Sequence, residues 1–171
     1  IKIVLGGPHP SIYPGETASL EEVDFVVAGE GERVFLELIN NIDNYRKLSP
    51  LKGLFFKHGN TILGDSQSDF IDDLDGLPFP ARDLVPYKKY TSILSLKNPI
   101  TTMFTSRGCP FNCNFCDRPH MGRRFRARSA KNVVDEMQIC KSMGIEEIFV
   151  YDDTFTVDKR RALAICDEII E

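Results

Sequence analysis

The chain has 171 residues, of which 42% are hydrophobic and 27% charged, and its formal net charge at pH 7 is −4. This length fits one domain or two small ones, and the composition excludes low-complexity and fibrous proteins. No apolar run approaches the roughly 20 residues of a membrane span, and no signal segment is evident, so a cytoplasmic location without membrane contact is expected.

Five cysteines are present, and three of them lie close together. An odd number in this arrangement argues against a disulfide scaffold and favours a reducing compartment. The other two, Cys140 and Cys166, fall on apolar helix faces and are expected to be core thiols. The chain begins at Ile1 inside a strand-like run and ends at Glu171 inside a helical pattern, which predicts a fragment of a longer protein.

The first part of the chain alternates strand and helix patterns. Ile1–Leu5 predicts a buried strand that ends at Gly6 and Gly7, and residues 15–22 predict a short helix. Phe25–Ala28 predicts a second buried strand. A helical repeat follows, with its apolar positions at Val34, Phe35, Leu38, Ile39 and Ile42. This order predicts parallel strand pairing, with ligands bound at the carboxyl ends of the strands.

A hairpin and a proline-rich stretch follow. Gly53–Lys57 and Thr61–Leu63 flank a turn centred on Gly59 and predict a β-hairpin. The acidic stretch Ile71–Tyr90 holds three prolines. Because proline fixes φ and lacks a donor, this stretch is predicted to be neither helix nor central strand. We interpret it as part of a linker that wraps a surface.

The second part repeats a strand, loop and helix pattern. Ile100–Thr105 predicts a strand, and Ser129 is a suitable N-cap for a helix that ends near Met143. Glu147–Tyr151 predicts the next strand, and Asp158 caps a last helix. This repeat is the unit of a parallel α/β barrel.

The most informative motif follows the strand at 100–105. Cys109, Cys113 and Cys116 are spaced Cys-x3-Cys-x2-Cys. Structural zinc sites and electron-transfer clusters use four ligands, so three thiolates on one loop indicate a four-iron cluster with one iron open to a substrate. The alternative is a zinc or cluster site completed by a fourth ligand, for which Asp117 and His120 are candidates.

A run of basic residues without an acid follows the cysteines. It predicts either an electropositive rim suited to an anionic cluster or substrate, or a solvated loop and helix start. The chain as a whole is acidic, so nucleic acid is not the expected partner. The run comprises Arg118, Arg123, Arg124, Arg126, Arg128 and Lys131.

The cysteine motif, with the aromatic Phe115 before its last cysteine, resembles the radical S-adenosylmethionine (SAM) superfamily. The Ser-Arg-Gly-Cys-Pro lead-in and the Asp-Asp-x-Phe-Thr after the next strand are similar to its cobalamin-binding branch. Three upstream segments also match that branch: Gly-Gly-Pro-His-Pro at 6–10, Gly-Glu-Gly-Glu at 29–32 and Leu-Asp-Gly-Leu-Pro-Phe-Pro at 74–80. The resemblance covers nearly the whole chain.

The resemblance implies an α/β fold in three parts. Residues 1–68 would form the C-terminal part of a Rossmann-like cobalamin-binding domain, and residues 69–98 a linker. Residues 99–171 would form the first β/α units of a partial radical SAM barrel. The other strands of both domains lie outside the chain, so both cofactor pockets are expected to be incomplete.

The resemblance also implies roles for individual residues. The three cysteines would ligate three irons of a [4Fe-4S] cluster, and SAM would chelate the fourth iron. One electron would then cleave SAM to methionine and a 5′-deoxyadenosyl radical. Phe115 would lie beside the adenine, and Asp152 and Asp153 would face the methionine ammonium through charge-assisted hydrogen bonds. The alternative for this aspartate pair is a helix-capping turn.

In the first part, Gly6 and Gly7 would let the backbone approach the nucleotide tail of cobalamin, or would form a plain strand-ending turn. Imidazole suits cobalt, but His9 lies between two prolines, and the Asp-x-His-x-x-Gly lower-ligand motif of the family is absent. We therefore expect a loop histidine. Glu30 and Glu32 are expected to be exposed first-turn glutamates.

These observations favour a fragment of a radical SAM enzyme. The parent protein would perform methyl transfer or rearrangement on a small-molecule substrate, with ferredoxin or flavodoxin as reductant. One alternative is an RNA methylthiotransferase-like enzyme, which the arginine run would suit, although such relatives carry cysteines upstream and this chain has none before Cys109. The other alternative is a non-catalytic metal-binding or electron-transfer module with a four-ligand site.

Overall fold

The computed structural model describes residues 1–65, 69–116 and 122–171. The chain divides into two compact α/β units. The first unit comprises Ile1–Ile71 with Asn112–Gly122, and the second comprises Asp72–Phe111 with Arg123–Glu171. The predictions for Asp117, Arg118 and His120 lie outside the described residues.

The first unit contains a mixed four-stranded sheet, whose strands follow the chain order β1-β2-β3-β4. The predicted parallel pairing is confirmed, because β1 runs parallel to β2. The predicted hairpin is also confirmed, since β3 and β4 are antiparallel and His58 pairs with Thr61 across a two-residue turn. The strands are β1 (Val4–Gly6), β2 (Phe25–Val27), β3 (Leu54–His58) and β4 (Thr61–Gly64).

Four helices of the first unit flank these strands: α1 (Pro8–Ile12), α2 (Pro14–Ser19), α3 (Gly31–Asn40) and α4 (Tyr45–Leu48). The helix predicted at 15–22 begins at Pro14 and ends at Ser19. The loop predicted around His9 is wrong, because His9 lies in α1, whose first residue is a proline. Proline favours the first helical position, since its fixed φ matches the helix and its missing N–H would have no helical partner there.

Strand β2 is buried on both faces. Successive side chains of a strand point to opposite sides of the sheet, and an apolar cluster covers each side. One face packs in a cluster of Phe25, Val27, Leu38, Leu48, Leu54 and Phe56. The other packs in a cluster of Ala18, Val23, Val26, Ala28 and Phe55. The first predicted strand is shorter and less buried than expected, since Ile1 and Ile3 are exposed and pairing begins at Val4.

The second unit repeats the predicted strand and helix pattern. Strands β5 (Ile100–Met103) and β8 (Glu147–Val150) are parallel neighbours. Between them in sequence lie the antiparallel pair β6 (Ser106–Arg107) and β7 (Arg126–Ala127) and helix α5 (Ala130–Ser142), and helix α6 (Lys159–Ile170) follows β8. Both predicted N-caps are confirmed, because Ser129 accepts the Asn132 N–H and Asp158 accepts the Arg161 N–H.

The apolar core of the second unit is formed by Met103, Val133 and Ile165. Cys140 is fully buried, as predicted. The prediction of a core thiol at Cys166 is wrong, because this side chain is exposed. The buried residues of α6 are Ala162 and Ile165, and one residue further on a helix turns the side chain by about 100°.

The proline-rich segment 72–98 contains two 3₁₀ turns, Arg82–Leu84 and Tyr87–Lys89, and no α-helix or strand, as its prolines predicted. Arg82 in the first turn is buried. Among the described residues, no helix combines the length and the apolar character needed to span a bilayer.

Candidate functional site

The cysteine loop follows β6, whose last residue, Arg107, lies two positions before Cys109. Gly108 has a φ of 80°, a left-handed conformation that glycine adopts without strain, and it directly precedes Cys109. Cys109 is partly buried, whereas Cys113 and Cys116 are exposed. The Cys116 N–H donates to the Cys113 carbonyl at 3.2 Å, which closes a turn between these two residues. All three cysteines are free thiols.

The donor set of this loop fits an iron–sulfur ligand group, because soft thiolates select iron–sulfur clusters. Within residues 1–65, 69–116 and 122–171, no group of three His, Cys, Asp or Glu side chains is already close enough to hold a metal ion. Phe115 is 94% exposed. Its ring therefore has no packing function in the core and is available to stack on a ligand.

Asp152 lies at the base of the cysteine loop, in the second unit. Its Oδ1 accepts the N–H groups of Thr105 and Ser106 at 2.6 and 3.1 Å. Its Oδ2 accepts the hydroxyl groups of the same two residues at 2.5 and 2.7 Å. Thr105 and Ser106 are both buried, so one carboxylate satisfies four buried donors.

Arg161 of α6 binds the other side of this segment. Its Nη2 donates to the Thr105 carbonyl at 2.5 Å, and its Nε donates to the Arg128 carbonyl at 2.8 Å. Burial lowers the pKa of the Arg161 guanidinium, and the nearby Asp152 opposes this effect. The loop base is thus held by a carboxylate on one side and a guanidinium on the other.

Asp153 differs from its neighbour. Its side chain is exposed, and among the described residues no hydrogen bond or ion pair involves its carboxylate. The predicted aspartate pair therefore divides into one engaged and one solvent-facing group.

The basic run divides between exposed and covered side chains: Arg123, Arg124 and Lys131 are exposed, as a solvated loop and helix start predict, whereas Arg126 and Arg128 are not. Arg126 is buried, and the Arg128 side chain is only 10% exposed and forms an ion pair with Glu136. Arg124 pairs with Asp72, and Lys131 pairs with Asp135. The basic surface that would suit the RNA alternative is thus smaller than the run of basic residues suggests.

Sequence reasoning missed a buried charge cluster in this unit. Arg82 donates to Glu136 at 2.5 Å and to the Thr101 hydroxyl at 3.0 Å, and Glu136 also accepts from Arg128. One signal could have revealed it: Glu136 lies between Val133 and Cys140 at helical spacing, so an acid stands on the apolar face of α5.

A second candidate site lies in the first unit, at the carboxyl ends of β1 and β2. A cavity of about 370 Å³ is lined there by Val4, Leu5, Gly6, Gly7, Val27, Gly29, Gly31, Glu32 and Phe35. Gly7 has a φ of 99°, so a side chain there would strain the backbone. A Cβ added at Gly31 would lie 3.3 Å from a Val27 methyl group. The predicted Gly6 and Gly7 thus share a concave site with Gly29, Gly31 and Phe35, which were not predicted.

The prediction that Glu30 is an exposed first-turn glutamate is wrong. Its side chain is buried rather than exposed, because it accepts the Ile71 N–H at 2.7 Å. Glu32 is exposed, as predicted, and lines the cavity.

Comparison with known proteins gives consistent matches. Residues 103–171 match the family model of the Radical SAM superfamily. The chain is 38% identical to an uncharacterized methyltransferase of Pyrococcus horikoshii over 95% of its own length and 36% of the relative's. It is 31% identical to the anaerobic magnesium-protoporphyrin IX monomethyl ester cyclase of Cereibacter sphaeroides, over 98% of its own length and 28% of the relative's.

The fold is also similar to a solved structure. The cobalamin-dependent S-adenosylmethionine radical enzyme OxsB, with aqua-cobalamin and S-adenosylmethionine bound, superposes with a TM-score of 0.76 at 20% sequence identity. The match covers 99% of this chain and 24% of that one. The chain therefore spans about a third or less of the proteins it matches.

Proposed function

Residues 103–171 belong to the radical SAM superfamily, which confirms the resemblance drawn from the cysteine motif, and on this premise we propose that the chain is part of a cobalamin-binding radical SAM enzyme. The observation that carries the proposal is the set of three free thiols, spaced Cys-x3-Cys-x2-Cys, on the segment that follows β5 and the short β6 in a β/α repeat. We assign residues 1–68 to a Rossmann-like cobalamin-binding domain, 69–98 to a linker and 99–171 to a partial barrel.

Cys109, Cys113 and Cys116 would hold a [4Fe-4S] cluster with one iron free for SAM. Once bound, the cluster supplies the single electron that cleaves the sulfonium of SAM. The thiols of Cys113 and Cys116 are exposed, so iron and sulfide can reach them, and cluster assembly would bring the three thiols closer together than they lie in the described part of the chain. The exposed ring of Phe115 would pack against the adenine.

The aspartates after β8 would orient the methionine end of SAM. A carboxylate suits an ammonium because a charge-assisted hydrogen bond is both strong and directional. Asp153 is the solvent-facing carboxylate of the pair, and Asp152 lies directly beside it. The two residues thus bring negative charge to the carboxyl end of the strand, where parallel α/β sheets place their ligands.

The cavity at the ends of β1 and β2 would accept the nucleotide tail of cobalamin. Gly6 and Gly7 leave the backbone uncovered, and Phe35 offers an apolar wall. A pocket of about 370 Å³ is at the small end of ligand sites, which measure roughly 300 to 1,000 Å³. It would therefore hold part of so large a cofactor, in keeping with a chain that carries only part of the domain.

The reaction class follows from the relatives. Their names describe methyl transfer and the cyclisation of a porphyrin ester, so we propose methyl transfer or rearrangement of a small molecule for the whole protein. A low-potential donor such as ferredoxin or flavodoxin would supply the electron.

Anaerobic reconstitution of the chain with iron and sulfide tests the proposal. We expect about four irons per chain and a change in the absorption or EPR spectrum when SAM is added. The variant Cys113→Ala should fail to assemble the cluster, whereas the matched control Cys140→Ala should assemble it, because Cys140 is a buried core thiol. Equal behaviour of the two variants would show that the ligand assignment is wrong.

Metal analysis of the purified chain separates the remaining alternative. One zinc per chain, with no spectral response to SAM, would contradict the proposal and support a structural four-ligand site.

A further inference from the structure

Asp152 lies where two parallel strands stop pairing. The register of β5 and β8 ends at Met103 and Val150, and one further bond follows, from the Tyr151 N–H to the Met103 carbonyl at 2.9 Å. Beyond this point the chain leaves the sheet toward Cys109. Its buried backbone N–H groups therefore need partners that the sheet no longer provides.

A single carboxylate supplies these partners. The two oxygens of Asp152 accept four hydrogen bonds, from the N–H and hydroxyl groups of Thr105 and Ser106. Thr105 and Ser106 are 0% and 3% exposed, so water does not compete for these donors. A carboxylate offers about four lone-pair sites, and four donors occupy them.

The carbonyl side of the same segment is held independently. The Thr105 carbonyl accepts from the Arg128 N–H at 3.0 Å and from Arg161 at 2.5 Å, and Ser106 pairs with Ala127 across β6 and β7. The hydrogen bonds of Asp152 are therefore confined to the donors of Thr105 and Ser106, beside its electrostatic support of the Arg161 guanidinium, and the loss of these bonds should act locally.

We propose that Asp152 is a positioning residue that fixes the direction in which the cysteine loop leaves the sheet, and that Asp153 is the member of the pair that binds the ligand ammonium. Asp152 fixes Ser106, three residues before Cys109, and thereby orients the thiol through the backbone. The ligand assigned to Asp153 rests on the proposed function, whereas the anchoring of the loop does not.

Asparagine at position 152 distinguishes an anchor from an ammonium ligand. Its Oδ1 can accept the two N–H groups, and its Nδ2 can donate to the two hydroxyl oxygens, whose own protons rotate away. If Asp152 anchors the loop by accepting hydrogen bonds, this function is therefore kept in Asp152→Asn. If Asp152 instead binds an ammonium group through its negative charge, that function is lost in the same variant. Asp152→Ala removes both functions and leaves buried donors without partners.

Amide hydrogen exchange of the 171-residue chain, without added iron, tests the anchor directly. In Asp152→Ala we expect the Thr105 and Ser106 amides to exchange at least about tenfold faster, because their buried N–H groups lose their acceptor altogether. The control Asp153→Ala should exchange at the wild-type rate, and Asp152→Asn, whose amide oxygen accepts the same N–H groups, should remain much closer to that rate than Asp152→Ala. The amide of Val133 in α5 is the internal reference, because global unfolding would accelerate it as well.

Wild-type exchange in Asp152→Ala would overturn the proposal, and so would equally fast exchange in Asp152→Ala and Asp152→Asn. Acceleration of Val133 to the same degree as Thr105 would show a general structural effect instead of a local anchor.

Reconstitution with iron and sulfide provides the second readout. Asp152→Asn should keep both its iron content and its spectral response to SAM, while Asp153→Asn should keep its iron content and require at least about tenfold more SAM, the loss expected when a charge-assisted bond is removed. The opposite pattern would assign the ammonium to Asp152. If the wild-type chain binds no four-iron cluster, the proposed function fails, and the exchange experiment still decides whether Asp152 anchors the loop.

Discussion

The first unit is stabilised mainly by apolar contacts, whereas the second unit buries charged groups beside a smaller apolar cluster. In the first unit, both faces of β2 are covered by hydrocarbon side chains. In the second, Glu136 is 1% exposed and accepts hydrogen bonds from two guanidinium groups. Apolar contacts are non-directional, but hydrogen bonds fix direction as well as distance.

This difference corresponds to the proposed functions of the two units. The glycine-lined cavity requires backbone without side chains and a stable sheet behind it, which apolar packing provides. In the second unit, the hydrogen bonds of Asp152 to Thr105 and Ser106 hold the segment from which the chain continues to Cys109. The loss of an apolar contact in the first unit and the loss of a directional hydrogen bond or ion pair in the second should therefore change the free energy of unfolding by different amounts.

The largest effect is expected at the buried charge cluster. Glu136→Ala leaves the guanidinium groups of Arg82 and Arg128 without their carboxylate, and removing one partner of a buried ion pair costs about 3 to 5 kcal/mol. Urea denaturation should show this loss in the free energy of unfolding. The control Asp135→Ala breaks an exposed pair with Lys131, for which a much smaller loss is expected, because water and salt screen exposed charges. A comparable loss in both variants would contradict the importance of burial.

The apolar counterpart lies in the first unit. Leu38 is fully buried, so Leu38→Ala should lower the free energy of unfolding by about 2 to 5 kcal/mol, because it removes buried surface and leaves a cavity. Leu36 on the same helix is 58% exposed, and Leu36→Ala should change the free energy by no more than about 0.5 kcal/mol. If Leu38→Ala were as mild as its control, the apolar description of this unit would be wrong.

The contrast between the units also explains which features the sequence could predict. The run Phe25–Val27, the hairpin around Gly59 and the Ser129 cap are local patterns, and each produced the expected element. The cysteine spacing is local as well, and it indicated the superfamily whose family model residues 103–171 match. Arg82 and Glu136 are 54 positions apart, and no local pattern connects them. Glu30 was misjudged for the same reason, since its partner Ile71 is 41 positions away.

Errors at Cys166 and at the arginine run have a related physical cause. Cys166 differs from the buried Ile165 by one position, and periodicity in a short helix does not resolve so small a rotation. The prediction for the arginines considers only their charge. A guanidinium can nevertheless be buried when a carboxylate and carbonyl oxygens accept its hydrogen bonds, as for Arg128. The positions of these oxygens depend on the tertiary fold.

A smaller effect is expected for a directional contact at the surface of the second unit. Ser129 accepts the Asn132 N–H at 3.2 Å and caps α5. Ser129→Ala should lower the free energy of unfolding by about 1 kcal/mol, the usual value of an N-cap. The control Ser142→Ala removes a hydroxyl that donates to the Ile139 carbonyl near the end of the same helix, and it should have less effect. Denaturation of both variants measures the difference, and a larger loss in Ser142→Ala would contradict the capping assignment.

The smallest effect tests whether a charged contact also matters in the apolar first unit. The Lys2 ammonium donates to Asp24 at 2.9 Å, and the Ile3 N–H donates to the same carboxylate at 2.8 Å. Together these contacts lower the pKa of Asp24 from its ordinary value, with the bond to Lys2 as the larger cause. The unfolded chain therefore binds the proton more readily than the folded chain, so stability rises with pH in the interval between the two pKa values.

This contribution is fully present above the unfolded pKa of roughly 3.9 and is lost as the pH falls through the lower folded value. Asp24→Asn should reduce the rise of the unfolding free energy between about pH 2 and 5, as measured by urea denaturation at successive pH values. Glu22→Gln is the control, since Glu22 is exposed and forms no ion pair among the described residues. Because Lys2 and Asp24 lie at the surface, added salt should weaken the effect in the wild-type chain. An unchanged pH dependence in Asp24→Asn would mean that the contacts of Asp24 with Lys2 and Ile3 do not contribute to the stability of the first unit.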